Sequence, residues 1–271
     1  MIRDITIGQY YPADSLIHKL DPRVKLFATM IYILAVFCFR GVLGLALITL
    51  FMAAMVGLSK IPFRFMIKGL KGIVMLLFIT ALFNLFFTPG EHIYWQYGLF
   101  KISDAGIANA VLMMIRLIYL ILGTSLMTLT TTPNQLTDGL EKALSPFSKI
   151  GVPVHTIAMM MSIALRFIPI LIEETDKIMK AQMARGVDFE RGNLIQKARN
   201  MIPLLVPLFL SAFRRADDLA LAMEARCYNG GVGRTKMKPL KYQRRDVFGY
   251  VMILLFFAGV VLARVLLPWP Q

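Results

Sequence analysis

Two arginines carry the first chemical signal in this chain. Arg185 and Arg226 each close an Ala-x-x-Ala-Arg string, and each is followed by a small residue, Gly186 or Cys227. An offset of 41 residues pairs Asp176 with Asp217, Ala181 with Ala222, Ala184 with Ala225 and Arg185 with Arg226. A guanidinium is a planar five-donor fork suited to carboxylates and carbonyls. Beside small residues at a helix end, it offers a grip to a partner groove that approaches the backbone. A buried arginine of this kind costs more than about 2 kcal/mol when truncated. The plainer reading is the helix dipole, which favours basic residues near C-termini by about 0.3–1 kcal/mol. That explains one arginine well and a matched pair with matched alanines less well. The chemistry implied is docking rather than bond breaking.

No catalytic constellation competes with it. His18, His92 and His155 fall in different segments, no carboxylate or metal spacing joins them, and they read as interfacial or loop residues. Glu173-Glu174 and Asp217-Asp218 read as solvated helix faces that balance nearby Arg and Lys. The run from Asn229 to Thr235 is glycine-rich, but a phosphate loop needs Gly-x-x-x-x-Gly-Lys-Ser/Thr between a strand and a helix. Position 228 is Tyr, Arg234 stands in the lysine position and no strand precedes. Cys38 lies in an apolar run and Cys227 in a basic segment, so neither a disulfide nor a zinc site is expected. No cofactor, metal site or nucleotide site is read from the chain.

Two helices must position the arginines. Leu205, Leu208, Ala212, Ala216, Leu219 and Met223 keep a 3–4 spacing that ends at Arg226. Phe167, Leu171 and Ile178 begin a similar stripe that ends at Arg185, with Gly186 able to supply a left-handed cap. Cys227 fits the equivalent place less easily, because a Cβ disfavours the left-handed conformation. Ala181, Ala212, Ala216 and Ala222 add small residues along the same two helices. A shorter helix precedes them: Thr132 can cap it, Pro133 suits its first position, Gln135 completes a capping box, and Leu136, Leu140 and Leu144 share one face.

The rest of the chain places these helices at a membrane. Of 271 residues 57% are hydrophobic and only 17% charged, with a mean hydropathy of +0.65. A soluble domain is about 45–50% apolar and about 25% charged. The formal charge of +14 invites a nucleic-acid reading. Its distribution between apolar runs instead suggests cytoplasmic loops rich in Lys and Arg. Residues 24–39, 42–58, 73–87, 106–130 and 246–267 read as five spans. Arg40-Gly41 turns the chain between the first two, and Lys60 to Lys71 reads as an interfacial helix. Residues 88–104, with Tyr94, Trp95, Tyr97 and one basic residue, read as an outer loop. Arg116, inside the fourth span, must face other helices, water or the interface.

Residues 131–245 carry 18 Lys and Arg against 10 Asp and Glu, and read as a cytoplasmic region. Residues 1–130 precede it with four spans, and 246–271 follow with one. The N-terminus is then inside and the C-terminus outside. The segment 154–172 is apolar enough to span, but crossing there would leave the following basic residues outside. It reads as a helix against the cytoplasmic side, and 201–210, with Pro203 and Pro207, reads as too short to cross. The expected fold is an all-α polytopic membrane protein of about five transmembrane helices and three cytoplasmic or interfacial ones, two of them long.

Ala184-Arg185-Gly186 and Ala225-Arg226-Cys227 resemble the paired Ala-Arg-Gly motifs of the transmembrane component of energy-coupling factor transporters. Ala222 to Tyr228, Gly233-Arg234-Thr235 and the early Leu20-Asp21-Pro22-Arg23-Val24-Lys25 extend the likeness. The resemblance implies a non-enzymatic subunit of an importer of the ATP-binding cassette class, for vitamins or transition metals, in which residues 131–245 form the cytoplasmic coupling region and its two long helices cross; the small residues Ala181, Ala212, Ala216 and Ala222 permit that close crossing. It implies as partners two ATPase subunits, which would receive Arg185 and Arg226, a separate substrate-binding membrane protein and the surrounding lipid, with no nucleic acid. Two other readings stand beside it. A self-sufficient secondary carrier would want ionisable residues near the midplane, where Arg116 is the one good candidate. A membrane enzyme would want clustered carboxylates or histidines, and Asp217-Asp218 is the nearest approach.

Overall fold

The computed structural model describes residues 10–39, 41–89, 93–97, 100–189, 192–230, 237 and 239–266. Helices dominate: α1 (Pro22–Cys38), α2 (Gly41–Ser59), α3 (Phe63–Lys71), α4 (Val74–Phe87), α5 (Asp104–Thr130), α6 (Pro133–Leu144), α7 (Val154–Ala184), α8 (Leu194–Ala225) and α9 (Arg244–Leu266). The expected outer loop contains a two-stranded antiparallel ribbon, β1 (Ile93–Tyr97) and β2 (Phe100–Ser103). Its aromatic and β-branched residues suit a strand, and pairing satisfies the backbone locally. The architecture remains an all-α polytopic membrane protein with this small hairpin added.

The described residues divide into two units, one within Leu140–Pro239 and one formed by Gly8–Gly139 with Leu240–Gln271. In the second unit, α1 packs against α5 and α9, α2 against α9, and α3 and α4 against α5. Its core includes Val36, Phe39, Ile48, Met52, Leu126 and Val260. The Phe51 and Phe256 rings stack at 4.0 Å, with Tyr32 stacked on both at 6.1 and 6.4 Å. Large apolar side chains such as Phe37, Leu50, Met75, Phe78 and Leu255 point outward, as lipid-facing residues do. Arg116 lies over the Phe39 ring at 5.1 Å.

The string Leu20-Asp21-Pro22-Arg23-Val24-Lys25 is a helix start that doubles as a joint. Asp21 caps α1 by accepting the Arg23 N–H at 2.9 Å, and Pro22 sits where its missing N–H costs nothing. Asp246 is buried in the first turn of α9, where it accepts the Gln243 N–H at 2.7 Å and the Asp21 N–H at 2.8 Å. Arg23 donates to the Leu240 carbonyl and lies over the Tyr242 ring. The Lys25 ammonium donates to the Thr130 carbonyl at 2.8 Å.

These contacts set the directions of the spans. The Asp21–Asp246 bond starts α1 and α9 at one level. The Lys25–Thr130 bond, and that from Tyr11 N–H to the Leu129 carbonyl, end α5 at the same level. Arg264 donates to the Cys38 carbonyl at 3.4 Å, so the far ends of α1 and α9 also meet. Helices α2, α5, α7 and α9 are each long and apolar enough to cross a membrane, and α3 with α4, bent by 63°, passes the same measure only as a pair, as a broken span or a re-entrant loop. At 17 residues α1 is at the short limit for a span. Through the Asp21 and Lys25 bonds, the end of α5 and the start of α9 share one level of the second unit.

The close α1–α2 turn is present, with Gly41 at φ +76° as α2 begins; Arg40 lies outside the described residues. The segments 154–172 and 201–210 are not separate pieces. Each belongs to a continuous helix, the 31-residue α7 and the 32-residue α8.

Candidate functional site

The 41-residue offset extends well beyond four matching residues. Shifting α7 forward by it covers 195–225, against Leu194–Ala225 for α8, so the two helices correspond almost end to end. They pack on each other within one unit. Glu174 accepts hydrogen bonds from Ser211 and from the Arg215 guanidinium, the latter at 2.9 Å. Further along α7, the Gln182 side chain donates to the Pro203 carbonyl at 3.3 Å. Advancing along α7 therefore means retreating along α8, and the helices run antiparallel. Glu174 and Arg215 are themselves related by the offset. Equivalent residues meet near 172 and 213, about which the pair is roughly two-fold symmetric.

Proline assists this contact. Pro207 has no N–H to give the carbonyl four residues earlier, which is that of Pro203. The freed acceptor is taken by Gln182 of α7. Glu174 is therefore not a solvated carboxylate, as its sequence context suggested. It ties α7 to α8, and the clue lay in the offset that sets Glu174 against Arg215.

Both helix ends close in the same way. After α7, Gly186 N–H donates to the Met183 carbonyl at 3.0 Å and Val187 N–H to Gln182 at 3.1 Å. After α8, Cys227 N–H donates to Glu224 at 2.8 Å and Tyr228 N–H to Met223 at 3.0 Å. This is the Schellman pattern, with one left-handed residue just past each end. Gly186 has φ +89° and Cys227 φ +57°. The cysteine thus takes the left-handed cap that its side chain disfavours, at a cost of about 1–2 kcal/mol. Arg185 and Arg226 hold the two capping positions, with φ/ψ of −87°/5° and −93°/16°. Both are exposed, as are Ala184, Ala225, Gly186 and Cys227.

The antiparallel register separates the two arginines. Each lies about 13 residues beyond the symmetry point, or about 20 Å at 1.5 Å per residue. They therefore project from opposite ends of the helix pair. Of the alanines expected at a crossing, Ala212 is half-buried, while Ala181, Ala216 and Ala222 are exposed in the chain. The named interhelical hydrogen bonds come from Glu174, Gln182, Pro203, Ser211 and Arg215 instead.

The other candidates are also placed. Thr132 and Gln135 form the reciprocal capping box, at 3.2 and 3.3 Å. On α6, Leu136 and Leu140 are half-buried and Leu144 is exposed. His155 is not a free loop histidine, since its Nδ1 meets Glu141 Oε1 at 2.9 Å. His18 lies between Ser15, 2.6 Å from Nδ1, and the Tyr11 carbonyl, 3.0 Å from Nε2. Cys38 and Cys227 are both free thiols. His92, Gly233, Arg234, Thr235 and residues 268–271 lie outside the described residues.

Fold and site together define a multi-pass helical membrane subunit that carries a symmetric pair of arginine-tipped helices. The family model for the cobalt transport protein CbiQ matches residues 13–238. An energy-coupling factor transporter transmembrane protein of Clostridium kluyveri is 54% identical over 268 residues, covering 98% of each chain. Its Bacillus subtilis counterpart is 47% identical over 264 residues, covering 97% of this chain and all of the relative. The counterpart of Lactococcus lactis is 44% identical over 261 residues, covering 96% and 98%. The chain belongs to this family of energy-coupling factor transporter transmembrane proteins.

Proposed function

We propose that this chain is the coupling scaffold of an importer, in which α7 and α8 pass the motion of two ATPase subunits to a substrate-binding membrane protein. The observation that carries the reading is the pair of identical arginine caps at opposite ends of two antiparallel helices related by one offset. Two equivalent receivers suit two equivalent motors. Arg185 would enter one ATPase groove and Arg226 the other, with Ala184, Gly186, Ala225 and Cys227 keeping the approach to the backbone open. Exposed Val206, Phe209, Leu210 and Phe213 on α8 offer an apolar surface to a membrane partner. Close crossing of the helices, eased by Ala181, Ala212, Ala216 and Ala222 once partners are bound, would turn ATPase movement into a change of angle between them. The cargo, a vitamin or a metal ion, would be held by the substrate-binding protein.

The charge distribution supports an orientation. Lys19, Arg23, Arg244 and Arg245 cluster where α1 and α9 begin and α5 ends. Helix α3 belongs to that end too, through the 5.1 Å contact of Phe65 with the Tyr11 ring, and it adds Arg64 and Lys71. Excess Lys and Arg marks the cytoplasmic side. The N-terminus and the 131–243 region are then inside and the C-terminus outside.

The test is assembly and uptake with Arg185→Ala, Arg226→Ala and the double variant, each co-expressed with the ATPase and substrate-binding subunits. Each single change should weaken ATPase retention in mild detergent by tenfold or more, about 1.4 kcal/mol or above, while membrane insertion is unchanged. Unaltered retention and transport in the double variant would remove the assigned roles. Uptake by the purified chain alone, without ATP, would favour a self-sufficient carrier.

A further inference from the structure

A cavity of about 200 Å³ opens at the basic end of the bundle, bounded by the segment before α1 and by α1, α2, α5 and α9. Its walls are mainly apolar, with Leu20, Val24, Phe51, Leu126 and Met252 among them. Two cations lie on its lining, Lys25 and Arg245. Lys25 is only 6% exposed. Two of its three ammonium hydrogens go to the His18 and Thr130 carbonyls. No carboxylate lies within 4.0 Å of it among the described residues, and Asp21 is held by the Arg23 N–H and guanidinium. Arg245 is exposed and makes no hydrogen bond or ion pair among the described residues.

Asp21 offsets the Lys25 charge only from a distance, and Arg245 has no carboxylate beside it among the described residues, so the two cations can still offer an anion charge-assisted contacts. An apolar cavity of this size stays dry and accepts hydrocarbon; one of about 150 Å³ holds benzene. A ligand that satisfies both features is an amphiphile with an anionic head and an aliphatic tail. The cavity runs from the segment before α1 along the first half of that helix, beside the end of α5 and the start of α9. We propose that it is a binding site for an anionic phospholipid, whose phosphate meets Arg245 and Lys25 and part of whose acyl chain lies against Leu20, Val24 and Met252. The charge of the lining selects this occupant over a zwitterionic lipid or an apolar partner helix. Such a lipid would fasten α1, α5 and α9 at the end where the basic region joins the bundle.

The test uses the full chain reconstituted in phosphatidylcholine vesicles with or without phosphatidylglycerol, then extracted and weighed by native mass spectrometry. Wild type should retain one phosphatidylglycerol and no phosphatidylcholine. Arg245→Gln, at an exposed position that leaves folding intact, should reduce retention about tenfold, the loss expected for one charge-assisted contact. Ala28→Leu, which adds bulk to the cavity wall and removes neither cation, should abolish retention while thermal unfolding still reports a folded protein. Equal retention of both lipids, or retention unchanged by Ala28→Leu, would overturn the proposal. Displacement of the lipid by inorganic phosphate alone would also overturn it, since the tail would then contribute nothing.

Discussion

The contact of Glu174 with Ser211 and Arg215 should govern how well the distant arginines dock. The ion pair is 2.9 Å long, with side chains 21% and 40% exposed, so it is neither a surface pair nor a buried one. Its length is that of a charge-assisted bond. Exposed pairs contribute about 0.2–1 kcal/mol, and partial solvent screening keeps this one near the upper end, about 1 kcal/mol. The helices then act as levers. Arg185 and Arg226 stand about 20 Å from the symmetry point, so a 10° change in the angle between α7 and α8 displaces the tip of one helix relative to the other helix by about 3.5 Å. Shared equally between the helices, the 10° is about 1.7 Å at each arginine, and the full displacement of about 3.5 Å of one helix against the other exceeds the length of a hydrogen bond. Glu174→Arg and Arg215→Glu alone should each reduce stability and, under the proposed function, uptake, although neither Arg185 nor Arg226 is altered. The swapped double variant should recover most of both. A double-mutant cycle on thermal unfolding of the purified chain should give a coupling of about 1 kcal/mol, or about fivefold, and the uptake rate should follow it. If the effects of the two changes simply add, or the swap is worse than either single change, the two side chains do not share the contact and the lever reasoning fails.

Three further outcomes are expected. At Gly123 a Cβ would lie 2.2 Å from Cε1 of the Tyr32 ring, so Gly123→Ala should cost about 1–3 kcal/mol and lower the Tm, and a companion Tyr32→Leu should recover part of it. At the α8 cap, Cys227→Gly should keep ATPase retention, while Cys227→Val should lose about 1–2 kcal/mol of cap stability and weaken retention at Arg226. Burial, and to a lesser extent the neighbouring Lys25, hold the His18 pKa below the usual 6.5, against the opposing effect of the Tyr11 carbonyl. The unfolded chain then binds the proton more readily. Stability from this group is therefore complete above pH 6.5 and is lost as the pH falls through the lower folded value. The Tm of wild type should drop below pH 6.5 more steeply than that of His18→Gln.

Much of this protein is determined by short windows of its sequence. The apolar runs place α1, α2, α4, α5 and α9, because span length and composition are local quantities. Caps are local too. Thr132-Pro133-x-Gln135 specifies its own reciprocal bonds, and Arg185-Gly186 and Arg226-Cys227 stand where the chain must leave a helix. The ribbon within 93–103 was also local, but its aromatic residues resemble an interfacial belt, and the same side chains suit both. Tertiary structure decided what lies beyond a few residues. It set α7 against α8 in one antiparallel register and gave Glu174 a partner 41 residues away. It turned the carbonyl freed by Pro207 into an acceptor for Gln182. It joined Asp21 to Asp246 across 225 residues, which starts α1 and α9 at one level. Spacing says which face of a helix is apolar or charged; only packing says which other face meets it.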